Sequence, residues 1–349
     1  MNKPWGSLTD VPGVAVGQAQ RTGDGWLTGV TVVLPPPGTV GAVDVRGGAP
    51  ATHETDALDP TALVPTVDAV CLSGGSAFGL AAAGGVQAWC EEHGRGFGVG
   101  PEADRRSLVV PIVPAAAIFD LLRGGDRGAR PDATLGYAAV AAASSAPVAV
   151  GAVGAGTGAL VAGGRLKGGV GTASVRIAVA SGSVVVGALA VVNAAGSPVT
   201  PDGDLLGASA IPAGLPRPCA PSGDEAAALA AHLAQGTGAD PRPRTNTTLA
   251  VVATDARLDT TATWRLAATG HDGLARSLRP VHTMLDGDAV FGLATGTVPL
   301  EPEETAVVEA AAADAVLLAV LDAVLSSRTT RTPVLDLPGY LDLCPSASL

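Results

Sequence analysis

The stretch Asn246-Thr247-Thr248-Leu249-Ala250-Val251-Val252-Ala253-Thr254-Asp255 carries the strongest signal for both the fold and the chemistry of this chain. Its apolar, β-branched residues predict a buried strand, and a threonine hydroxyl stands at the start of that strand. Such a hydroxyl can attack the carbonyl of the preceding residue, and hydrolysis of the resulting ester leaves a new N-terminal threonine. The α-amine of that threonine, with a reference pKa of about 8, can then act as the base. A plain loop with an asparagine leading into a buried strand would give the same pattern.

The composition limits both the architecture and the partners. Among the 349 residues, 47% are hydrophobic but only 3% are aromatic, and 47 are glycine. A core of this kind must be built from Ala, Val and Leu with close backbone contacts, which suits layered sheets and helices. The net charge of -11 argues against nucleic acid or an anionic membrane as a partner.

The sequence gives no indication of a membrane anchor, a metal or a cofactor. No uninterrupted apolar run reaches transmembrane length, and the first residues lack the apolar stretch of a signal peptide. The cysteines are scattered, at Cys71, Cys90, Cys219 and Cys344, and the five histidines form no H-x-x-x-H pair. We therefore expect a cytoplasmic protein with no metal, no cofactor and no membrane partner.

Strand-like and helical patterns are mixed along the chain, so we expect an α+β protein in which helices cover the outside of sheets. The predicted strands are Gly29–Leu34, Ala69–Leu72, Val148–Val153, Val175–Val179, Val184–Val192, Thr248–Ala253 and Ala289–Leu293. The predicted helices are Ser76–Glu92, Ala115–Leu122, Leu135–Ala143, Asp224–Gln235, Asp259–Leu278 and Glu303–Leu325. From about Ala195 to Arg244 the chain is rich in Pro, Gly and Asp, which predicts a long surface excursion leading to Thr247.

Two further groups of polar residues are candidates for the same chemistry. Asp286 and Asp288 flank Gly287 just before a predicted strand. Carboxylates this close disfavour each other's ionisation, which would let one of them hold or accept a proton near neutrality. An Asp-Gly hairpin turn is the alternative interpretation. Asn193 ends another predicted strand, where its amide can donate to an oxyanion, or where it simply terminates the strand.

Two glycine-rich motifs suggest other enzymes and do not fit them. Gly154-Ala155-Gly156-Thr157-Gly158 follows a predicted strand as a dinucleotide-binding turn does, but the acidic residue expected about twenty positions later is missing. Gly74-Gly75-Ser76-Ala77-Phe78-Gly79 differs by one position from the nucleophile elbow G-x-S-x-G. The start of a helix is the simpler explanation of Ser76.

The motifs, taken in order, resemble the DmpA-like P1 peptidases, peptidase family S58, over nearly the whole chain. This family includes L-aminopeptidase/D-esterases, β-peptidyl aminopeptidases and nylon-oligomer hydrolases. The segments that carry the resemblance are Leu8–Gly17, Val43–Gly48, Leu72–Leu80, Gly154–Gly158, Lys167–Ala173, Asn246–Thr248 and Asp286–Asp288. The resemblance implies a four-layer αββα sandwich of the DmpA and ornithine acetyltransferase type. It also implies a single domain, residues 1–349, that cleaves itself into fragments 1–246 and 247–349.

The resemblance assigns roles to individual residues. Thr247 matches the nucleophile, with cleavage between Asn246 and Thr247, and Asn193 matches the asparagine on the oxyanion side. Asp286 and Asp288 match the acidic pair of the nylon-hydrolase branch. That branch also carries a tyrosine where this chain has Phe119. It carries a lysine that corresponds to either Arg165 or Lys167.

The chain departs from the aminopeptidase branch at one segment. Those enzymes grip the substrate amine with a glutamate in a segment equivalent to Pro111–Asp120, where this chain has alanines and no glutamate. The resemblance therefore implies a small peptide or amide substrate without fixing a need for a free N-terminus. It further implies that the two fragments stay associated and form a homo-oligomer, a tetramer of paired fragments.

We therefore expect a self-processing N-terminal-nucleophile hydrolase of amide bonds, either an aminopeptidase or an amide-oligomer hydrolase. One alternative is an acyltransferase of the ornithine acetyltransferase type, which uses the same self-cleaving threonine. Another is an unprocessed, non-catalytic homologue that persists as a structural or binding oligomer.

Overall fold

The computed structural model describes residues 4–99, 108–234 and 246–349, and in these ranges two five-stranded sheets face each other. The strands are β1 (Ala15–Gly23), β2 (Trp26–Leu34), β3 (Val40–Val45), β4 (Thr52–His53), β5 (Val70–Ser73), β6 (Phe97–Gly98), β7 (Val109–Val110), β8 (Ala115–Ala117), β9 (Leu160–Val161), β10 (Leu166–Lys167), β11 (Gly169–Val179), β12 (Gly182–Asn193), β13 (Thr247–Ala256), β14 (Ala289–Val298), β15 (Thr330–Thr332) and β16 (Leu335–Leu337). The helices are α1 (Ala82–Glu92), α2 (Ala133–Ala141), α3 (Gly223–Ala234), α4 (Thr260–Ser277), α5 (Thr305–Ser326) and α6 (Tyr340–Leu343).

The first sheet has the order β1-β2-β5-β8-β4, and the second has the order β11-β12-β13-β14-β3. In the second sheet β12 and β13 are antiparallel, whereas β13 and β14 are parallel and are connected through α4. The end of β12 therefore meets the start of β13, and β14 begins at that same edge. This edge of the second sheet brings together segments that are far apart in the sequence.

Side chains along β13 point alternately to the two faces of the second sheet, and both faces are covered. Leu249 and Val251 point into the core between the two sheets, while Ala250 and Val252 pack against the outer helices. Because both faces of the strand are covered, its residues form a continuous apolar run rather than an alternating one. The layers α4 and α5 cover the second sheet, and α1 and α2 cover the first. The predicted αββα sandwich is confirmed.

Small residues allow the layers to approach closely. A Cβ at Gly171 in β11 would collide with the carbonyl oxygen of Ala319 in α5, and a Cβ at Gly85 in α1 would collide with that of Ala133 in α2. Backbone therefore packs against backbone at these positions, which is how a core with few aromatic residues reaches native density. Within the described ranges, no helix combines the length and apolarity that a membrane span needs.

Two predicted elements are wrong. Ala115–Leu122 was expected to be helical, but Ala115–Ala117 form β8, which pairs with β5 on one side and β4 on the other. Alanine has the highest helix propensity of any residue, but intrinsic propensity is a small term, and strand pairing on both sides outweighs it here. Val148–Val153 form no strand, and only Gly151 makes an isolated bridge, to Val170. The predicted excursion before Thr247 is described as far as Ala234; its last part, residues 235–245, lies outside the described ranges.

Candidate active site

Thr247 is the first residue of β13 and is 4% exposed. Its hydroxyl donates to the carbonyl oxygen of Asn246, the residue before it, at 2.6 Å. The same carbonyl oxygen accepts the backbone N–H of Gly287 at 3.0 Å. A hydroxyl, a carbonyl and a backbone donor are thus in direct contact at the edge where β13 and β14 begin.

Asn193, the last residue of β12, lies directly opposite Thr247 in the antiparallel pair and is fully buried. Its Oδ1 accepts Nη1 of Arg123 at 2.5 Å and the N–H of Leu160 at 3.0 Å. Its Nδ2 donates to the carbonyl oxygen of Phe119 at 3.3 Å. Because both partners of Oδ1 are donors, the orientation of the amide is determined by its surroundings.

Asp286 and Asp288 are both buried, and each accepts three hydrogen bonds. Asp286 accepts the N–H of Ala195 at 3.3 Å, and both the N–H and the hydroxyl of Thr283 at 3.1 and 2.5 Å. Asp288 accepts the N–H of Thr248 at 2.6 Å through Oδ1. The two carboxylates therefore tie the loop before β14 to the ends of β12 and β13.

The second oxygen of Asp288 and the loop backbone complete this arrangement. Oδ2 of Asp288 accepts both the N–H and Nδ1 of His282, at 3.0 and 2.8 Å. The carbonyl oxygen of Asp288 accepts the N–H of Arg46 at 3.0 Å, and that of Asp286 accepts the N–H of Ala49 at 2.9 Å. The Asp-Gly-Asp segment is thus held between β13 and the chain that follows β3, and it does not form a hairpin turn.

Lys167 is fully buried beside this site. Its Nζ donates to the carbonyl oxygens of Gly156, Ala159 and Gly168 at 3.1, 2.8 and 2.6 Å. Burial and the nearby positive charge of Arg123 lower its pKa to about 7. This pKa lies close to physiological pH, far below that of an ordinary lysine, while the three carbonyl contacts match the three N–H groups of the ammonium form.

Arg165 and Phe119 occupy different surroundings. Arg165 lies in the turn between β9 and β10, half-buried, and its carbonyl oxygen accepts Nε2 of His232 at 2.9 Å. Phe119 is half-buried, and its backbone oxygen accepts Nδ2 of Asn193. Of the two candidates for the family lysine, Lys167 is the one whose contacts reach the loop that bonds Asn193.

Three residues at the site were missed by sequence reasoning, namely Arg123, Asp120 and His282. Arg123 is 8% exposed and donates to the carbonyl oxygen of Gly158 and to Asn193. Burial raises the pKa of Asp120, whose Oδ1 accepts the N–H of Gly75 at 2.6 Å. The one local signal for Asp120 and Arg123 was a pair of charges in an otherwise apolar segment. Ser76 lies outside this site, in the short helical turn that follows Gly75.

Solved structures share this fold. The L-aminopeptidase D-Ala-esterase/amidase of Ochrobactrum anthropi superimposes with a TM-score of 0.74 at 21% identity, covering 97% of this chain and 92% of that one. A beta-aminopeptidase of Burkholderia sp. gives a TM-score of 0.72 at 23% identity, covering 99% and 95%. The first is described as a variant of the Ntn hydrolase fold. The fold is therefore that of the Ntn-hydrolase aminopeptidases.

The model of peptidase family S58 matches residues 6–334, and the chain belongs to this family. An uncharacterized aminopeptidase of Mycobacterium bovis is 51% identical over 365 residues, which cover 98% of each chain. A 6-aminohexanoate-oligomer endohydrolase of Paenarthrobacter ureafaciens is 30% identical over 301 residues, covering 83% of this chain and 75% of that one. The predicted enzyme class, a hydrolase that acts on amide bonds, is confirmed.

Proposed function

We propose that this hydrolase matures by cleaving itself between Asn246 and Thr247 and then uses Thr247 as its N-terminal nucleophile. One observation supports this most directly: the Thr247 hydroxyl contacts the carbonyl of the bond to be cleaved, at 2.6 Å from its oxygen. Because the hydroxyl and the carbonyl belong to adjacent residues and are already in contact, the attack is intramolecular and carries no cost of bringing two molecules together.

The cleavage follows from the contacts of that carbonyl. Oγ1 of Thr247 attacks the carbonyl carbon of Asn246, and the N–H of Gly287 stabilises the negative charge that develops on the oxygen. The C–N bond then breaks, the nitrogen takes the hydroxyl proton, and an ester joins Asn246 to Oγ1. Water hydrolyses this ester, leaving a carboxylate on Asn246 and a free amine and hydroxyl on Thr247.

The mature enzyme repeats the chemistry on a substrate amide. Oγ1 of Thr247 attacks the substrate carbonyl while the freed α-amine takes the hydroxyl proton and passes it to the leaving amine. Water then hydrolyses the acyl ester on Oγ1, which releases the acid and restores the Thr247 hydroxyl. Asn193 pairs with Thr247 across β12 and β13, and we assign the N–H of its Nδ2 that does not bond Phe119 as an oxyanion donor. Asp286 and Asp288 hold the surrounding backbone. Lys167 holds the loop beside Asn193 through three carbonyl oxygens.

The substrate is a small peptide or a peptide-like amide. Relatives carry the names aminopeptidase and 6-aminohexanoate-oligomer endohydrolase, and both kinds of substrate contain unhindered amide bonds. Ala115–Ala117, from the segment where the aminopeptidase branch has its amine-gripping glutamate, are at most 1% exposed. We therefore propose that a free N-terminal amine is not required for binding.

We also propose that the fragments 1–246 and 247–349 remain one folded unit after cleavage, and that such units assemble into a cytoplasmic homo-tetramer. In support of their association, β13 begins the second fragment and pairs with β12 of the first fragment along eight residue positions. Cutting the bond before β13 removes none of those strand contacts.

Intact mass under denaturing conditions tests the proposal. Fresh and aged samples of the wild type should show the 34.0 kDa chain giving way to two species split at Asn246. Amino-acid p-nitroanilides with free and acetylated amines then test turnover and the need for an amine. A chain that never splits and never turns over an anilide would instead support the unprocessed binding oligomer. If acyl transfer to an amino acid is faster than hydrolysis, the result would support the acyltransferase alternative.

A further inference from the structure

His282 makes an unusual double contact with Asp288. Its backbone N–H and its ring Nδ1 both donate to Oδ2 of that carboxylate, at 3.0 and 2.8 Å. The residue has a φ of 54°, in the left-handed region that costs free energy for a residue with a side chain. His282 lies outside regular secondary structure. In this backbone conformation, its N–H and its ring Nδ1 both reach Oδ2 of Asp288.

A second histidine supports the ring of His282. His271 on α4 is fully buried, and its ring meets that of His282 edge to face, with 4.7 Å between centroids. Its Nε2 donates to the carbonyl oxygen of Asp44 at 2.9 Å, since a carbonyl can only accept. Burial lowers the pKa of His271 to about 4, so this ring is neutral at physiological pH. It restricts the ring of His282 without competing for Asp288.

The other oxygen of Asp288 reaches the nucleophile. Oδ1 accepts the N–H of Thr248 at 2.6 Å, and this N–H belongs to the peptide group that follows Thr247. Once His282 holds Oδ2, the plane of the Asp288 carboxylate is set. The orientation of the peptide group after Thr247 is then set as well, because its N–H bonds Oδ1. A continuous series of contacts therefore runs from α4 through His271, His282 and Asp288 to the reacting residue.

We propose that His282 is a positioning residue of the amide-hydrolysis site: it orients Asp288, and Asp288 in turn holds the backbone of Thr247 in the geometry for attack. The proposal rests on the proposed role of Thr247 as nucleophile. His282 itself touches neither the substrate nor the reacting atoms. Its loss should therefore slow processing and lower kcat while leaving KM nearly unchanged.

Two replacements of the same shape keep or remove the donor, and His282→Gly removes it without the negative charge that Asp adds beside Asp288. Asn and Asp both tolerate the left-handed backbone, but only Asn offers an N–H to Asp288. We expect His282→Asn to process and turn over a p-nitroanilide within about threefold of the wild type, and His282→Asp to lose roughly tenfold or more in both rates, the scale of a lost charge-assisted hydrogen bond. His53→Asn, on the exposed β4, is the control.

The processing rate is followed by intact mass, kcat and KM by anilide hydrolysis, and folding by the thermal transition. If H282D folds and reacts at the wild-type rate, the proposal is overturned. It is equally overturned if H282N and H282D lose activity alike, because a purely structural role would not depend on the donor. Should H282D fail to fold, His282→Gly removes the donor without backbone strain and must show the same loss. Processing that persists in Thr247→Ala would instead overturn the nucleophile assignment itself.

Discussion

The hydroxyl of Thr247 lies 2.6 Å from the carbonyl oxygen of Asn246, and the N–H of Gly287 lies 3.0 Å from that same oxygen. The proposed nucleophile, the carbonyl that it would attack and the proposed oxyanion donor are therefore neighbours within one folded chain. The reaction that this arrangement supports is intramolecular, so its rate should not depend on protein concentration.

The first prediction concerns the nucleophile. Thr247→Ala should abolish both processing and amide hydrolysis, because no hydroxyl remains at the start of β13, whereas Thr247→Ser should retain both. Intact mass over time and p-nitroanilide turnover measure the two reactions. Thr248→Val is the matched control: the Thr248 hydroxyl is buried and, within the described structure, has no hydrogen-bond partner. Equal loss in T247A and T248V would point to damage of the strand and not to a missing nucleophile.

The second prediction concerns Arg123, whose guanidinium holds the amide of Asn193. Arg123→Met should lower kcat about tenfold, since Asn193 loses a charged partner for Oδ1, with a smaller change in KM. Arg165→Met, in the half-buried turn between β9 and β10, should stay within about threefold of the wild type, because the Asn193 side chain is held by Arg123, Leu160 and Phe119. Steady-state kinetics of the two variants decide the matter, and a larger defect in R165M would contradict the placement of Lys167 and Arg123 at the site.

The third prediction concerns pH and Lys167. Its pKa falls from an ordinary 10.5 to about 7 on folding, mainly through burial. Below pH 7 both the folded and the unfolded chain hold the proton, and the folded state bears the full cost of a buried charge. Between about pH 7 and 10.5 only the unfolded chain holds it, so this residue's contribution to stability rises with pH, by up to about 1.4 kcal/mol per pH unit.

Comparison with Lys167→Met isolates this contribution from the other titrating groups. The free energy of unfolding of the wild type, measured by denaturant titration, should gain on that of K167M as the pH rises through this window. A difference between the two proteins that stays constant from pH 6 to 9 would show that Lys167 keeps its proton in the folded state.

The fourth prediction concerns Gly287. A Cβ at this position would lie 2.8 Å from the Thr247 hydroxyl and 2.7 Å from the carbonyl oxygen of Ala49. Gly287→Ala must therefore displace the donor N–H or the nucleophile, and processing should slow by at least about tenfold, as for a lost oxyanion donor. Gly84→Ala is the control, since a Cβ there meets nothing within 4 Å in α1. A wild-type processing rate in G287A would remove this N–H from the mechanism.

The layered α+β fold could be predicted because its signals are local. Apolar runs of the right length indicate buried strands, and α2, α4 and α5 lie close to the helical patterns that predicted them. The alanines of β8 misled the prediction, because their pairing with β5 and β4 outweighs the helix propensity that alanine has on its own. Sequence reasoning also had no means to find that Arg123 meets Asn193 or that His282 meets Asp288.

By itself, the sequence determined the strand that begins at Thr247, the acidic pair before β14 and the family to which they belong, because strand periodicity and short motifs are properties of neighbouring residues. Only the tertiary structure decided that Asn193 lies opposite Thr247 and that Lys167, not Arg165, contacts the loop beside Asn193. It also decided that His282 donates to Asp288 and that His271 packs against His282. The physical reason is that the partners of a buried polar group are set by sheet order and layer packing, which join segments that the sequence keeps far apart.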